Sequence, residues 1–94
     1  MQENPKCDER IVRIMLVEDN IEYRDVVRLA LEQEPGVELT RQFGTAEIAL
    51  RTLQDTPPIH KPDLILLDLR LPGMSGFDAI TECRKIAPDV KVII

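Results

Sequence analysis

The stretch Leu64 to Gly76, LILLDLRLPGMSG, holds four apolar residues in a row, stops on one carboxylate at Asp68, and then turns at Pro72-Gly73. An uninterrupted apolar run between Asp63 and Asp68 reads as a central strand, because a strand covered on both faces needs no alternation of apolar and polar residues. The Pro-Gly that follows turns the chain sharply. The same design occurs upstream: Ile11 to Val17 is apolar except for Arg13 and ends on Glu18-Asp19.

The segments between these runs alternate in period. From about Asn20 to Glu34 a helix is expected, with Tyr23, Val27, Ala30 and Leu31 on one stripe that Val26 and Leu29 widen, ended by Pro35-Gly36. Val37, Leu39, Arg41 and Phe43 recur at period two, and the mixed polarity of Val37 to Phe43 suggests an edge strand. Thr45 is placed to cap a second helix whose Ala46, Ala49, Leu50 and Leu53 lie on one face. Thr56 to Pro62 is too rich in proline to continue it. A third helix over Gly76 to Ala87 turns Phe77, Ile80, Cys83 and Ala87 inward, with Gly73 and Gly76 permitting tight turns before it and Pro88 limiting its length. Lys91 to Ile94 begins a fourth strand. The polar start, Met1 to Arg10, reads as a flexible leader, and residues 11–94 as one domain. Strands alternating with helices predict an α/β three-layer sandwich around a parallel sheet with right-handed crossovers.

Charge and composition narrow the function. With 94 residues, seventeen of them acidic and twelve basic, the formal charge is -5. That field attracts cations and repels a phosphate backbone, so no nucleic acid is expected on these residues. Cys7 and Cys83 lack the close spacing of a metal site, and Cys83 falls on the apolar side of a helix, which suits a reduced interior. No apolar stretch approaches the roughly 20 residues needed to cross a membrane, and the start lacks a signal-peptide centre. A cytoplasmic protein is expected.

In open parallel sheets, ligands gather beyond the carboxyl ends of the strands. Glu18, Asp19 and Asp68 all fall there if the first and third strands are neighbours. Converging carboxylates repel one another, and a bound cation is the usual remedy. Oxygen donors favour a hard ion, and a loose set completed by a carbonyl and waters suits Mg²⁺. The carbonyl of Arg70 is placed to join the set as the chain curls over the strand end. Such a metal would neutralise a phosphoryl group moving onto Asp68 by in-line attack. Spacing gives the pocket and leaves the roles open, since a carboxylate of the Glu18-Asp19 pair could exchange places with Asp68. Each acid alone reads as a turn or cap residue; their joint occurrence on two strand ends is what points to a site. His60, Lys61, Arg84 and Lys85 read as surface residues, Cys7 as an exposed thiol, Cys83 as core and Tyr23 as packing.

Three segments together resemble the receiver domain of two-component response regulators over about residues 11 to 94: IMLVEDN from Ile14 to Asn20, PDLILLDLRLPGMSG from Pro62 to Gly76, and VKVII from Val90 to Ile94. The resemblance implies a flavodoxin-like receiver fold with strand order 2-1-3-4. It implies Asp68 as phospho-acceptor, Asp19 as direct Mg²⁺ ligand, Glu18 as the second acid of the pair, and Arg70 as a ligand through its carbonyl. A phosphohistidine on a sensor histidine kinase, or a small phosphodonor, would supply the phosphoryl group, and receivers promote this transfer themselves. Asp68 to Ile94 is similar in style to regulators that control transcription through a helix-turn-helix.

The family also carries a phosphate-sensing Ser or Thr, a fifth strand with a switch aromatic and a Lys, and two last helices, none of which lies in these residues. An incomplete receiver is therefore expected, with its first helix and fourth strand uncovered and prone to self-association by edge pairing or exchange of elements. A receiver that is never phosphorylated and works only through association is the alternative. A metal-dependent hydrolase on a similar sheet would need a further general acid that Leu69 to Ile94 does not offer.

Overall fold

The structure is a computed structural model that describes residues 11–68, 70–71 and 73–94; the expected leader, Met1 to Arg10, lies outside the described residues. Four parallel strands, β1 (Val12–Val17), β2 (Val37–Phe43), β3 (Leu64–Leu67) and β4 (Lys91–Ile93), form one sheet in the order β2-β1-β3-β4. Three helices connect them: α1 (Ile21–Glu32), α2 (Ala46–Asp55) and α3 (Gly76–Ile86). A 3-10 turn at Pro58–His60 shapes the proline-rich connection. The α/β sandwich and the strand order are those the sequence implies.

Local chemistry fixes each helix start. Asn20 Oδ1 accepts from Tyr23 N at 3.0 Å, Thr45 Oγ1 from Ile48 N at 3.4 Å, and Ser75 Oγ from Asp78 N at 3.1 Å. The carboxyl end of α2 is closed by Lys61, whose Nζ donates to Leu53 O at 2.8 Å and Thr56 O at 2.5 Å. At the amino ends of the strands, Asp63 Oδ2 accepts from Arg13 N at 2.8 Å while its carbonyl accepts from Lys91 N at 3.1 Å, tying β1, β3 and β4 together.

The core lies between the sheet and α2 with α3. Met15, Val17, Ile65 and Leu67 from the strands meet Ala46, Ala49, Leu50 and Leu53 of α2 and Ala79 and Cys83 of α3, all buried. Burial on β3 alternates, with Ile65 and Leu67 closed and Leu64 and Leu66 half-buried. The continuous apolar run therefore does not mean equal cover on both faces: α1 packs over β2 and leaves the other face of β3 part-open.

Further expectations are corrected. Phe77 is 71% exposed, because the inward face of α3 is set by Gly76, Ala79 and Cys83, and position 77 lies well round the helix from them. The period-two reading of β2 fails at Thr40. The register runs Ile14 to Leu39 and then Met15 to Arg41, so Thr40 is an extra residue in a bulge, and its hydroxyl donates to Ile14 O at 3.2 Å. One added residue reverses the faces. Val37 and Leu39 pair with Val12 and Ile14 on the α1 side, whereas Phe43 pairs with Val17 and packs on the core.

On α1, Val27 and Leu31 are half-buried against the sheet while Tyr23, Val26, Leu29 and Ala30 are exposed, so only part of the expected stripe is covered. Gly73 has φ of 86°, as its turn demands, and the Glu47 carboxylate occupies the space a Cβ would need. Gly76 is instead the buried first residue of α3 and has no such φ.

Candidate metal and phospho-acceptor site

The strand ladder brings the acids together. Asp68 N donates to Val17 O at 3.1 Å, and Glu18 N donates to Phe43 O at 2.9 Å, so pairing continues one step past each strand end. Glu18, Asp19 and Asp68 then offer carboxylate oxygens that all lie within 4.8 Å of one another. Glu18 is buried, Asp68 half-buried and Asp19 exposed, which leaves one side of the cluster open to solvent.

Two main-chain amides orient the carboxylates. Asn20 N donates to Glu18 Oε2 at 3.2 Å, and Arg70 N donates to Asp68 Oδ1 at 3.0 Å in an Asx-type turn. Asn20 thus holds Glu18 with its amide while capping α1 with its side chain. The sequence reading gave Asn20 no role in the site, although an Asn directly before a helix is a recognisable cap signal.

Burial raises the Glu18 carboxyl above the usual carboxylate range; the Asn20 amide opposes this, and the Asp68 charge with contacts to Asp68 and Asp19 adds to it. A buried acid facing two further acids is a site short of positive charge. The donors are all oxygen, the set suited to a hard divalent ion such as Mg²⁺. Beside the cluster a groove of about 390 Å³ runs over Leu16, Leu66, Tyr23 and Val27 to Ile94. Tyr23 therefore borders the site as well as packing beside it.

The other candidates stay apart from this end of the sheet. His60 is exposed on the 3-10 turn. Cys83 is buried in the core, and burial pushes its thiol up, as expected of an inert residue. Cys7 lies outside the described residues. Arg84 and Lys85 are exposed in the last turn of α3, where their charge suits the helix dipole.

The sequence pattern described as the response regulator receiver domain matches residues 14–94. The chain belongs to that family. A receiver relative is the protein-glutamate methylesterase/protein-glutamine glutaminase 1 of Paramagnetospirillum magneticum, 32% identical over 83 residues, covering 88% of this chain and 21% of the relative. The transcriptional regulatory protein DegU of Brevibacillus brevis is 28% identical over 91 residues, covering 97% and 37%. Among solved structures, a LuxR-family two-component response regulator from Aurantimonas sp. superposes with a TM-score of 0.76 at 30% identity, covering 87% of this chain and 56% of that one. The receiver thus spans a minor part of these curated relatives' length.

Proposed function

We propose that this receiver accepts a phosphoryl group on Asp68 with the help of Mg²⁺, as one step of a two-component phosphorelay. The observation that carries this reading is the convergence of Glu18, Asp19 and Asp68 at the joined ends of β1 and β3. A carboxylate oxygen of Asp68 attacks the donor phosphorus while the P–N bond to the imidazole of a phosphohistidine breaks, leaving an acyl phosphate on Asp68 and the imidazole on the donor. The Arg70 amide, already bonded to Asp68 Oδ1, holds one carboxylate oxygen and leaves the other as the attacking atom.

Glu18, Asp19 and Asp68, with the Arg70 carbonyl, would hold the ion, and a bound Mg²⁺ supplies charge neutralisation for the transferring group. Asp19, the most exposed of the three, suits the direct ligand; Glu18, buried and fixed by Asn20, suits the second acid. Asp68 takes the acceptor role because it stands alone on the central strand and its turn is braced from within. A sensor histidine kinase is the expected donor, which puts the module in the cytoplasm. The relative named a transcriptional regulatory protein favours control of transcription as the output. Self-association through apolar surface left open on the α1 and β4 side accompanies this reading.

Incubation with Mg²⁺ and a small phosphodonor, followed by intact mass, tests it. The expected result is a gain of one phosphoryl group that disappears in Asp68→Asn and in chelator. A gain that survives Asp68→Asn would place the chemistry elsewhere, and no gain in the native chain would remove the proposal.

A further inference from the structure

Past Asp68 the chain leaves the sheet with little to hold it. Asp68 and Met74 are half-buried while Arg70, Gly73 and Ser75 are exposed, so among the described residues from 68 to 75 only Leu71 is buried. Leu71 is 7% exposed and belongs to the same packed cluster as Val17 and Leu67 of the strands, Ala46 of α2 and Ala79 of α3. Val17 and Leu67 immediately precede Glu18 and Asp68, so the loop is pegged into the end of the core that lies next to the acids.

What the peg fixes is one residue away. Consecutive Cα atoms stand about 3.8 Å apart, so a fixed Leu71 confines Arg70 to small excursions. Arg70 N donates to Asp68 Oδ1 at 3.0 Å, and Arg70 is exposed, so burial of its own side chain does not hold that amide. The other holds on the loop act further along. Gly73, at φ of 86°, lies against the Glu47 carboxylate of α2, and Ser75 Oγ accepts from Asp78 N. They fix the entry into α3, beyond Leu71. We propose that Leu71 is a positioning residue for Asp68: its side chain anchors the Arg70 amide, and that amide sets which carboxylate oxygen faces the donor phosphorus. This role rests on the reading of Asp68 as the acceptor, and Leu71 itself touches neither donor nor ion.

A buried leucine stabilises a fold wherever it lies, and Leu53 does so too. The two differ in what stands beside them. Leu53 lies in the last turn of α2, whereas Leu71 adjoins the amide that holds the acceptor. Truncating Leu71 opens a void into which the loop can sink. A displacement of about 1 Å at a reacting group costs on the order of a hundredfold in rate. A folded Leu71→Ala chain should therefore react slowly, and a folded Leu53→Ala chain should not.

Two readouts, compared at equal folded fraction by circular dichroism, test this. The first needs no donor: solvent exchange of the Arg70 amide proton, followed by nuclear magnetic resonance in chelator. Leu71→Ala should speed that exchange about tenfold, the loss of one hydrogen bond, and Leu53→Ala should leave it within about twofold of the native rate. The second is the initial rate of phosphoryl gain by intact mass, with Mg²⁺ and phosphoramidate. There the bond from the Asp68 oxygen to phosphorus forms as the P–N bond breaks and ammonia leaves. Leu71→Ala should lower this rate about tenfold or more, Leu71→Met should recover most of it, and Leu53→Ala should stay near the native value. Leu71→Val takes the place of Leu71→Ala if the latter does not fold, with the same pattern to a smaller degree. Amide exchange and phosphoryl gain in Leu71→Ala that match those of Leu53→Ala overturn the proposal, as does a slow Leu71→Ala chain whose Arg70 amide exchanges at the native rate. A native chain that gains no phosphoryl group removes the acceptor reading instead, and the amide exchange then decides by itself whether Leu71 holds Arg70.

Discussion

Replacing Glu18 by glutamine removes one charge from the acidic cluster while keeping the shape that accepts the Asn20 amide. Carboxylate oxygens within 4.8 Å repel with about 1 kcal/mol per pair at the dielectric of water and about 3.5 kcal/mol at an effective value of 20. Asp19 is exposed and Asp68 half-buried, so the lower figure applies, and Glu18 faces both. Relief of about 2 kcal/mol is offset by about 1 kcal/mol for weakening a charge-assisted hydrogen bond to Asn20. The net expectation is a metal-free variant more stable by about 1 kcal/mol at neutral pH, or about 4 to 8 °C in Tm for a domain of this size.

The pH dependence has a definite sign. The Glu18 carboxyl is raised in the folded state chiefly by burial, so the folded chain holds a proton that the unfolded chain releases first. Its contribution to stability is present below the ordinary glutamate pKa of about 4.3 and is lost as pH rises through the raised folded value. The advantage of Glu18→Gln should therefore vanish below about pH 4 and grow toward neutrality. On the proposed reading Mg²⁺ should reverse the order: the native chain should gain about 2.7 kcal/mol at a hundredfold excess over its dissociation constant, and the variant, lacking an acid, should gain less. Thermal melts followed by circular dichroism, in chelator and in Mg²⁺, measure all of this. Equal melting temperatures in chelator at neutral pH, or a difference that persists unchanged in acid, would refute the electrostatic account.

Other perturbations separate the structural residues from the site. Lys61→Met should cost about 1 to 2 kcal/mol in urea unfolding, because it withdraws the donor from the carbonyls of Leu53 and Thr56 at the end of α2. Leu53→Ala should cost about 2 to 5 kcal/mol in the same assay, since Leu53 is 1% exposed, whereas Phe77→Ala, at 71% exposed, should stay within about 0.5 kcal/mol. Deleting Thr40 leaves Leu39 opposite Ile14 and Phe43 opposite Val17 in an unbroken ladder, so the core is kept and the cost should be about 1 kcal/mol, the lost hydroxyl bond to Ile14 O.

The elements were legible because their signals are local. Apolar runs ending on acids, a cap at Thr45 and a break at Pro35-Gly36 each act within a few residues, and the observed helices and strands follow them. The faces were harder, because they depend on what lies opposite. Nothing in VELTRQF reveals that Thr40 will be skipped by its neighbour; that follows from fitting Leu39 under α1 and Phe43 against the core at once. Phe77 was read inward from its apolarity, but small residues let α3 approach the sheet on the face of Gly76, Ala79 and Cys83, and the ring lies off that face. The site was legible as a set of acids on strand ends. The part of Asn20 was not, since its amide reaches Glu18 only once the chain has turned into α1.

The acids are held in conflict by the parts of the fold least able to move. A repelling pair on a loop relaxes by drifting apart, but here the amides of Asp68 and Glu18 are bonded to the carbonyls of Val17 and Phe43, continuing the pairing of β1 with both neighbours. Val17, 1% exposed, and Leu67, 4% exposed, anchor the strand ends immediately before the acids. Separating the carboxylates would require opening that packed pair, at a cost comparable to losing a core side chain, about 2 to 5 kcal/mol. The repulsion of about 1 kcal/mol per pair is smaller, so the ladder wins and the strain stays in the site. What can still relieve it is a proton on Glu18 or a cation among the three oxygens, and at neutral pH the cation is the more available. On the proposed Mg²⁺ reading, core packing would itself contribute to ion affinity: a substitution that loosens β1 from β3 should weaken Mg²⁺ binding even where it touches no ligand.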